Sequence, residues 1–478
     1  MYRSLTLLII AILFAALTTG ISAETVDATT AADATETAVA TDAATTTEAT
    51  EATEEDDKSW LDFDFDPTFD FELKGQVYSE TTDYGTGVDR DGNRTDLHFQ
   101  RLRLVVTGML DETYGFKFQT CGNCGSSKQG ALGYAVTAQD TDWNDRDIRI
   151  IDGYGIANYS DAFNLKIGLT KIPVTRANLD DCFAPLTQDR SMFVYTPYGS
   201  SPAKFSRDIG GVAWGHFNDD RIRYYFGVFQ GREGVVKAVN PITGAAVTSS
   251  IEPESSFGYT GRIHYAFLDT EPGSGYEGTY FGKLKVFTIG LGAAYEADAV
   301  YKNVSATGQV LNDETVDYTS FAADVMFEYP TTVGTFTVNA QYLDVDFDDA
   351  YLTNFNAGDR LTNITGLNGQ KEGYFAKLAY ILPIKVGKMG VLQPYLLTEN
   401  WEFAHLLGIN NQTIDQSGAG INWYIRGQRV RLTAEYLKTE FDKETAYIGT
   451  PIDPVTGTPK DKIKEYDTFR MMFQIGVF

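Results

Sequence analysis

The sequence predicts an all-β protein: a transmembrane antiparallel β-barrel of about 16 strands. Apolar and polar residues alternate with a period of two in one segment after another, which is typical of strands whose two faces meet different environments. Short and long connections between these segments alternate along the chain. The mature chain has no apolar run of 18 or more residues, so membrane-spanning helices are not predicted.

Residues 1–23 are predicted to be a secretory signal peptide. Arg3 supplies the positive start, residues 5–17 are almost entirely apolar, and Ala23 is the small residue that a signal peptidase requires. This apolar stretch is too short to span a bilayer comfortably, and an uncleaved membrane anchor is the alternative interpretation. The segment implies export past the inner membrane.

Residues 24–66 form an acidic, Ala/Thr-rich segment of low complexity with a single lysine, Lys58. It contains too few large apolar residues to offset the entropy lost on ordering, so we predict a disordered N-terminal tail in the periplasm. A solvated tether is the plainest role, and binding of cell-wall material or calcium is the alternative. Residues 67–478 show no break in composition and are predicted to form one barrel domain, with the C-terminus also periplasmic.

Sixteen strand segments can be placed in this barrel domain. They begin near positions 69, 97, 113, 147, 162, 209, 221, 257, 280, 317, 332, 371, 391, 413, 429 and 466. The connections within 110–112, 160–161, 218–220, 330–331, 383–390 and 426–428 are short, and long polar links fall between them. Short turns at one end and long loops at the other indicate an outer-membrane barrel. A soluble sandwich, the alternative all-β fold, would have shorter strands and no such bias.

The link 172–208 is predicted to be a constriction loop that folds into the barrel. It carries Arg176, Arg190, Lys204 and Arg207 among acidic and aromatic residues. A loop this long in a compact domain is usually functional.

Strand arginines are predicted to face the lumen. Arg101 and Arg103 alternate with apolar residues, and Arg221 and Arg223 do the same. A charge that faced lipid at mid-depth would cost about 2–4 kcal/mol, so these side chains should point inward. The planar guanidinium donates two hydrogen bonds to an oxyanion and keeps its charge, which suits an anion path. The alternative is that the arginines pair with lumenal carboxylates such as Asp152 and brace the wall.

Several segments resemble the phosphate-selective porin O and P family, and they occur in the same order as in that family. The resembling segments are Leu97–Gly108, Tyr114–Phe118, Asp152–Tyr154, Leu165–Val174, Arg207–Val212, Gly227–Gly231 and 430–441. The resemblance covers most of 69–478. It implies a sixteen-stranded barrel, usually a homotrimer, in which anions pass a basic constriction. It also implies an anion path of Arg101, Arg103, Lys171 and Arg207, to which the loop would add Arg176, Arg190 and Lys204.

The overall charge does not match the expected attraction of phosphate, because the formal net charge is −26. At physiological salt, charges are screened over about 8–10 Å, so the local charge of the lumen determines which ions the pore prefers. Many acidic residues also fall in the proposed external loops, for example 344–349, where they could bind divalent cations or face lipopolysaccharide. Phosphate, other oxyanions and non-selective solute passage therefore all remain open as permeants.

The three cysteines, Cys121, Cys124 and Cys182, predict a disulfide in an exported protein. Cys121 could pair with Cys124, or one of them could pair with Cys182 and staple the inward loop to the rim. No histidine follows Cys124, so haem attachment is not supported, and zinc would need more ligands. We predict no metal and no cofactor.

The leading hypothesis from the sequence is a passive channel for small anions in the outer membrane. Its expected partners are membrane lipid, lipopolysaccharide and two further copies of the chain, with no nucleic acid. One alternative is a structural barrel that sheathes a partner, such as a multihaem electron carrier, or displays adhesive loops. An enzyme would need Ser, His and carboxylate groups assembled at the rim, and no such motif is found.

Overall fold

Sixteen strands of the chain close into one antiparallel barrel. The computed structural model describes residues 67–85, 93–122, 148–191, 207–231, 235–239, 246–250, 257–301, 314–346, 370–386, 389–406, 409–446 and 462–477. The strands are β1 (Thr68–Asp83), β2 (Asn93–Met109), β3 (Tyr114–Gly122), β4 (Ile148–Ser160), β5 (Phe163–Lys171), β6 (Arg207–Phe217), β7 (Ile222–Phe229), β8 (Val235–Val239), β9 (Ala246–Ser250), β10 (Gly258–Ala266), β11 (Val286–Tyr301), β12 (Thr315–Thr331), β13 (Gly334–Asp346), β14 (Gln370–Ile381), β15 (Val391–Leu406), β16 (Ile409–Tyr424), β17 (Val430–Ala446) and β18 (Lys462–Val477). One helical turn, α1 (Arg176–Leu179), follows β5. None of the helices in these ranges is long and apolar enough to cross a membrane.

Each barrel strand pairs with its neighbours in chain order, and β1 pairs with β18 to close the ring. The predicted count of sixteen barrel strands is confirmed. Strands β8 and β9 stand outside the ring as a two-stranded hairpin, so β7 pairs directly with β10. The sequence pattern predicts a polar link for these residues, although the valines of β8 favour strand formation.

The two faces of the wall differ as the alternation predicts. Arg101 and Arg103 on β2 are 2% and 4% exposed, whereas Leu102 and Leu104 between and beyond them are 46% and 40% exposed. The charged side chains therefore face inward and the leucines face outward, where lipid would cover them.

Aromatic side chains gather on the outer face near the short turns. Neighbouring rings contact each other there in the pairs Tyr114–Tyr159, Tyr159–Phe163, Phe217–Tyr224, Tyr265–Phe267, Phe267–Phe287, Phe327–Tyr329 and Phe336–Tyr380. Such a girdle is typical of the level at which a barrel meets the membrane–water interface. It places that interface at the short-turn end of the barrel.

Two parts of the predicted organisation lie outside the described residues. These are the signal peptide, residues 1–23, and the acidic tail, residues 24–66. Lys204 and Cys124 also lie outside the part of the chain that the structure describes.

Candidate functional site

The long loop after β5 crosses the lumen, as predicted from its length. We call residues 172–191 the inner loop. It contains α1. Thr175 caps the N-terminus of α1, because its hydroxyl accepts a hydrogen bond from the Asn178 amide at 3.1 Å. Its hydrogen bonds to the wall join Ala177 to Gln341, Thr187 to Lys377, Gln188 to Tyr395, Leu186 to Asn422, Pro185 to Arg431 and Phe183 to Gln474. These partners lie on six consecutive strands, β13 to β18. The inner loop also bonds to β1 through Tyr78 and to β2 through Arg101.

A second segment enters the lumen from the opposite end of the barrel. We call residues 267–285, which join β10 to β11, the inward turn. Its backbone meets the inner loop where the Asp181 amide donates to the Tyr276 carbonyl at 3.0 Å and the Gly278 amide donates to the Ala184 carbonyl at 2.8 Å. A Cβ at Gly278 would lie 2.1 Å from the Leu186 nitrogen, so only glycine fits this contact.

The inward turn explains the largest error in the predicted strand positions. The sequence placed the start of a strand near 280, whereas β11 begins at Val286. The sequence of this connection does not show that it runs into the lumen.

A buried ion pair links the inner loop to the inward turn. Arg176 donates to both carboxylate oxygens of Glu271, in one case at 2.9 Å, and both side chains are fully buried. Tyr280 and Thr288 donate to the same carboxylate at 2.7 and 3.1 Å. Burial opposes ionisation of Glu271, but the neighbouring guanidinium outweighs it and lowers the pKa of Glu271 to about 2.

A cavity of about 290 Å³ lies on the side of the lumen that faces strands β1 to β7. It lies between the wall from β1 to β7, the inner loop and the inward turn. Its charged lining residues are Glu72, Lys74, Arg103, Lys117, Asp152, Lys166, Lys171, Asp181 and Glu277. Five of these nine are cations, so the cavity is positive although the chain is acidic.

Some of these charges are compensated within the wall. Lys74 lies 2.6 Å from Glu72 and 3.4 Å from Asp181, and Asp152 lies 2.8 Å from Arg207. Burial raises the pKa of Asp181, but the Lys74 ammonium and the Phe183 amide outweigh this effect and hold the pKa below its usual range. Asp181 is therefore ionised and holds Lys74 in place.

Four cations of the cavity form no salt bridge with any residue in the described ranges: Arg103, Lys117, Lys166 and Lys171. Lys166 donates to the Ser274 hydroxyl at 2.6 Å, and Lys171 donates to the carbonyls of Leu179 and Asp180 at 3.2 and 2.8 Å. The Arg103 guanidinium lies 5.5 Å from the centre of the Phe183 ring. Neutral groups thus contact Arg103, Lys166 and Lys171 without cancelling their charge.

Three of the predicted anion-path arginines pair with carboxylates. Arg101 donates to both carboxylate oxygens of Asp189 at 2.9 and 2.7 Å. Arg207 is paired with Asp152, and Arg176 is paired with Glu271. These pairs have the geometry that the bracing alternative predicts.

The remaining predicted arginines are also held by protein groups. Arg190 donates to the carbonyls of Ala177 and Asn178, both at 3.3 Å, within the inner loop. Arg223 is buried and donates to the carbonyl of Glu271. Arg221 was predicted to lie on a strand but falls in the turn before β7, where it donates to carbonyls after β10 and does not line the cavity.

Sequence reasoning missed Lys117 and Lys166, although the signal that located Arg103 applies to both. Lys117 lies between Phe116 and Phe118 on β3, and Lys166 lies between two apolar residues on β5. Sorting every strand by face would have found them. The inward turn could not be found in this way because it has no strand periodicity.

The cysteines resolve one of the alternatives. Cys121 is disulfide-bonded, and Cys182 is a free, buried thiol. The pairing that would staple the inner loop to the rim through Cys182 is therefore not formed in this structure. In the described ranges, no cluster of three or more His, Cys, Asp or Glu side chains could hold a metal ion.

Comparison with known proteins connects this geometry to a family. A model of the family described as phosphate-selective porin O and P matches residues 71–449. An uncharacterized protein of Aquifex aeolicus (strain VF5) is 23% identical over 382 residues, which cover 76% of this chain and 78% of that protein.

The chain is also similar to solved structures, two of which are named here. An anion-selective porin from Comamonas acidovorans has a TM-score of 0.48 at 11% identity, over 86% of this chain and all of that one. The outer membrane channel DcaP of Acinetobacter baumannii has a TM-score of 0.47 at 11% identity, over 86% of this chain and 97% of that one.

Proposed function

The chain belongs to the phosphate-selective porin O and P family, and from this membership we propose that it passes small anions through its cation-lined cavity. Family and fold together make it an outer-membrane porin, a channel rather than an enzyme. The proposal concerns which solutes pass and which residues they meet.

The four cations without a carboxylate partner among the described residues carry this proposal. Charges removed from bulk water are usually paired, because an unpaired charge is costly to desolvate. Arg103, Lys117, Lys166 and Lys171 line a water-accessible cavity, so a mobile anion can supply the missing countercharge. Several weak sites in sequence allow an anion to enter and also to leave.

The negative overall charge is compatible with this proposal. The Debye length is about 8–10 Å at physiological salt, so acidic residues farther away than this are largely screened. Within the cavity the cations outnumber the carboxylates. We therefore expect the pore to prefer anions while the protein as a whole remains acidic.

The proposed setting is an exported homotrimer that contacts lipid and lipopolysaccharide. The signal peptide of residues 1–23 would direct export, and the tail of residues 24–66 would lie in the periplasm. Strand β1 begins and β18 ends at the short-turn end, which supports periplasmic termini for the barrel. The trimer rests on the family resemblance.

The inner loop and inward turn argue against the alternative of a barrel that sheathes a partner. Together they cross the lumen, and the cavity between them and the wall from β1 to β7 has a volume of about 290 Å³, which is too small for a folded protein partner. No observation specifically favours a non-selective pore, which the following experiment would reveal.

Reversal potentials of the purified protein in a planar bilayer test the proposal. Under a potassium chloride gradient, the sign of the potential should show that chloride is more permeant than potassium. A gradient of potassium phosphate should also give an anion-selective potential. A potential near zero would indicate a non-selective pore, and a cation-selective potential would contradict the proposal.

A further inference from the structure

The inward turn is anchored far more firmly than a surface connection would be. The ring of Tyr276 lies 4.3 Å from the Arg176 guanidinium and 5.3 Å from that of Arg262. Its hydroxyl is 2.6 Å from Nδ1 of His264, and its carbonyl accepts from the inner loop. The turn is thus fixed to the wall and to the inner loop at the same time.

A second carboxylate, Glu328 on β12, holds the returning end of the turn. It accepts hydrogen bonds from the amides of Tyr280 and Gly282 at 3.0 and 2.8 Å, and from the Thr279 hydroxyl at 2.7 Å. The segment 271–282 is therefore held at both ends. A segment held in this way can form a permanent wall of a pore.

Between these anchors, the turn places a carboxylate, Glu277, at the cavity, and this carboxylate differs in its pairing from the others there. Glu277 lines the cavity and is exposed, whereas Glu72, Asp152 and Asp181 each pair with a cation. In the described part of the chain Glu277 forms no salt bridge. Among the cavity-lining carboxylates that the structure describes, Glu277 is therefore the one that no cation neutralises within salt-bridge distance.

We propose that the inward turn is a pore-lining constriction element in its own right, with Glu277 as the residue that offsets part of the positive charge of the cavity. The turn bounds the passage from the short-turn end, as the inner loop bounds it from the long-loop end. Its lining role rests only on the channel function, while the offsetting role of Glu277 also rests on the proposed preference for anions. A partly offset charge favours release, because an anion leaves a weaker site more readily.

A cysteine substitution in the inward turn tests the lining role. Glu277→Cys, reconstituted in a planar bilayer, is treated with the anionic thiol reagent 2-sulfonatoethyl methanethiosulfonate, and modification is followed by mass spectrometry. We expect single-channel conductance to fall by about half or more, because the added group occupies the passage. Glu112→Cys is the matched control, because Glu112 is exposed on another short turn and does not line the cavity. The native protein controls for the buried Cys182.

The neutral variant tests the charge role. Glu277→Gln should raise the permeability ratio of chloride to potassium by about two- to fivefold, as removal of one charge near the path implies. Glu112→Gln should leave the ratio unchanged. Unchanged conductance after complete modification of the introduced thiol overturns the lining role, and equal ratios in the two Gln variants overturn the charge role. A native pore that is not anion-selective would instead refute the proposed function, while the conductance test would still decide the lining role.

Discussion

The cations of the lumen differ in what neutralises them. Arg101, Arg176 and Arg207 each contact a carboxylate and hold one part of the protein against another. Lys117 and Lys166 have no carboxylate partner within the described ranges, and they face the cavity. Residue type alone does not separate the paired cations from the unpaired ones. What differs is the distance from the cationic side chain to the nearest carboxylate.

Neutralising Lys117 and Lys166 should reduce the preference for anions without lowering the stability of the barrel. In Lys117→Gln combined with Lys166→Gln, we expect the permeability ratio of chloride to potassium to fall several-fold, about threefold or more, because two charges leave the path. Reversal potentials measure this ratio. Lys438→Gln is the matched control, because Lys438 pairs with Glu440 and Glu465 away from the lumen. A fall of the same size in the control would refute the assignment.

Neutralising a bracing residue should act on stability instead. Arg101→Gln leaves Asp189 buried without its guanidinium, and breaking such a buried pair costs about 3–5 kcal/mol. Urea unfolding of the purified barrel would measure this loss. The double variant Arg101→Gln with Asp189→Asn should recover a large part of it, because neither partner then remains charged. No recovery would show that the ion pair is not what the residue contributes.

At the scale of elements, the passage is defined by the inner loop and the inward turn. They enter from opposite ends of the barrel and meet through backbone hydrogen bonds and the ion pair of Arg176 with Glu271. Tyr280 and Thr288 also face that carboxylate, and His264 and Arg223 lie nearby. The position of either element therefore depends on the other.

The contact between the inner loop and the inward turn should weaken in strong acid. The pKa of Glu271 is lowered to about 2, so its ion pair contributes stability that is fully present above the ordinary pKa of a glutamate and is lost as the pH falls toward 2. Single-channel current should be steady from about pH 7 to 4 and become noisy near about pH 2. Glu271→Gln should be noisy already at pH 7. Steady current in that variant would show that the ion pair does not hold the passage.

At the scale of the whole molecule, the sequence predicts the wall better than the contents of the lumen. Lipid on one side and water on the other impose the alternation of apolar and polar residues, so the sequence of a strand such as β2 shows which side chains face the lumen. The path of the inward turn is determined by contacts with residues distant in the sequence, for example the close approach of Gly278 to Leu186. Pairing is equally non-local, since Arg101 and its partner Asp189 lie on different elements. The sequence therefore predicts which face of the wall a strand residue lies on, but not which residue its side chain pairs with.

The orientation of the wall makes a prediction of its own. Leu102→Arg places a charge on the outer face, and we expect a loss of about 2–4 kcal/mol in the free energy of unfolding in lipid. Leu102→Phe is the control for size and should be nearly neutral. An arginine variant as stable as the control would mean that lipid does not cover this face.

The central claim is that anions pass between the β1–β7 wall and the two inward segments. An anomalous difference map from crystals soaked in sodium bromide tests it most directly. The claim predicts bromide peaks in the cavity, next to Arg103, Lys117, Lys166 or Lys171. An empty cavity, with bromide bound instead along the wall from β13 to β18, would contradict it.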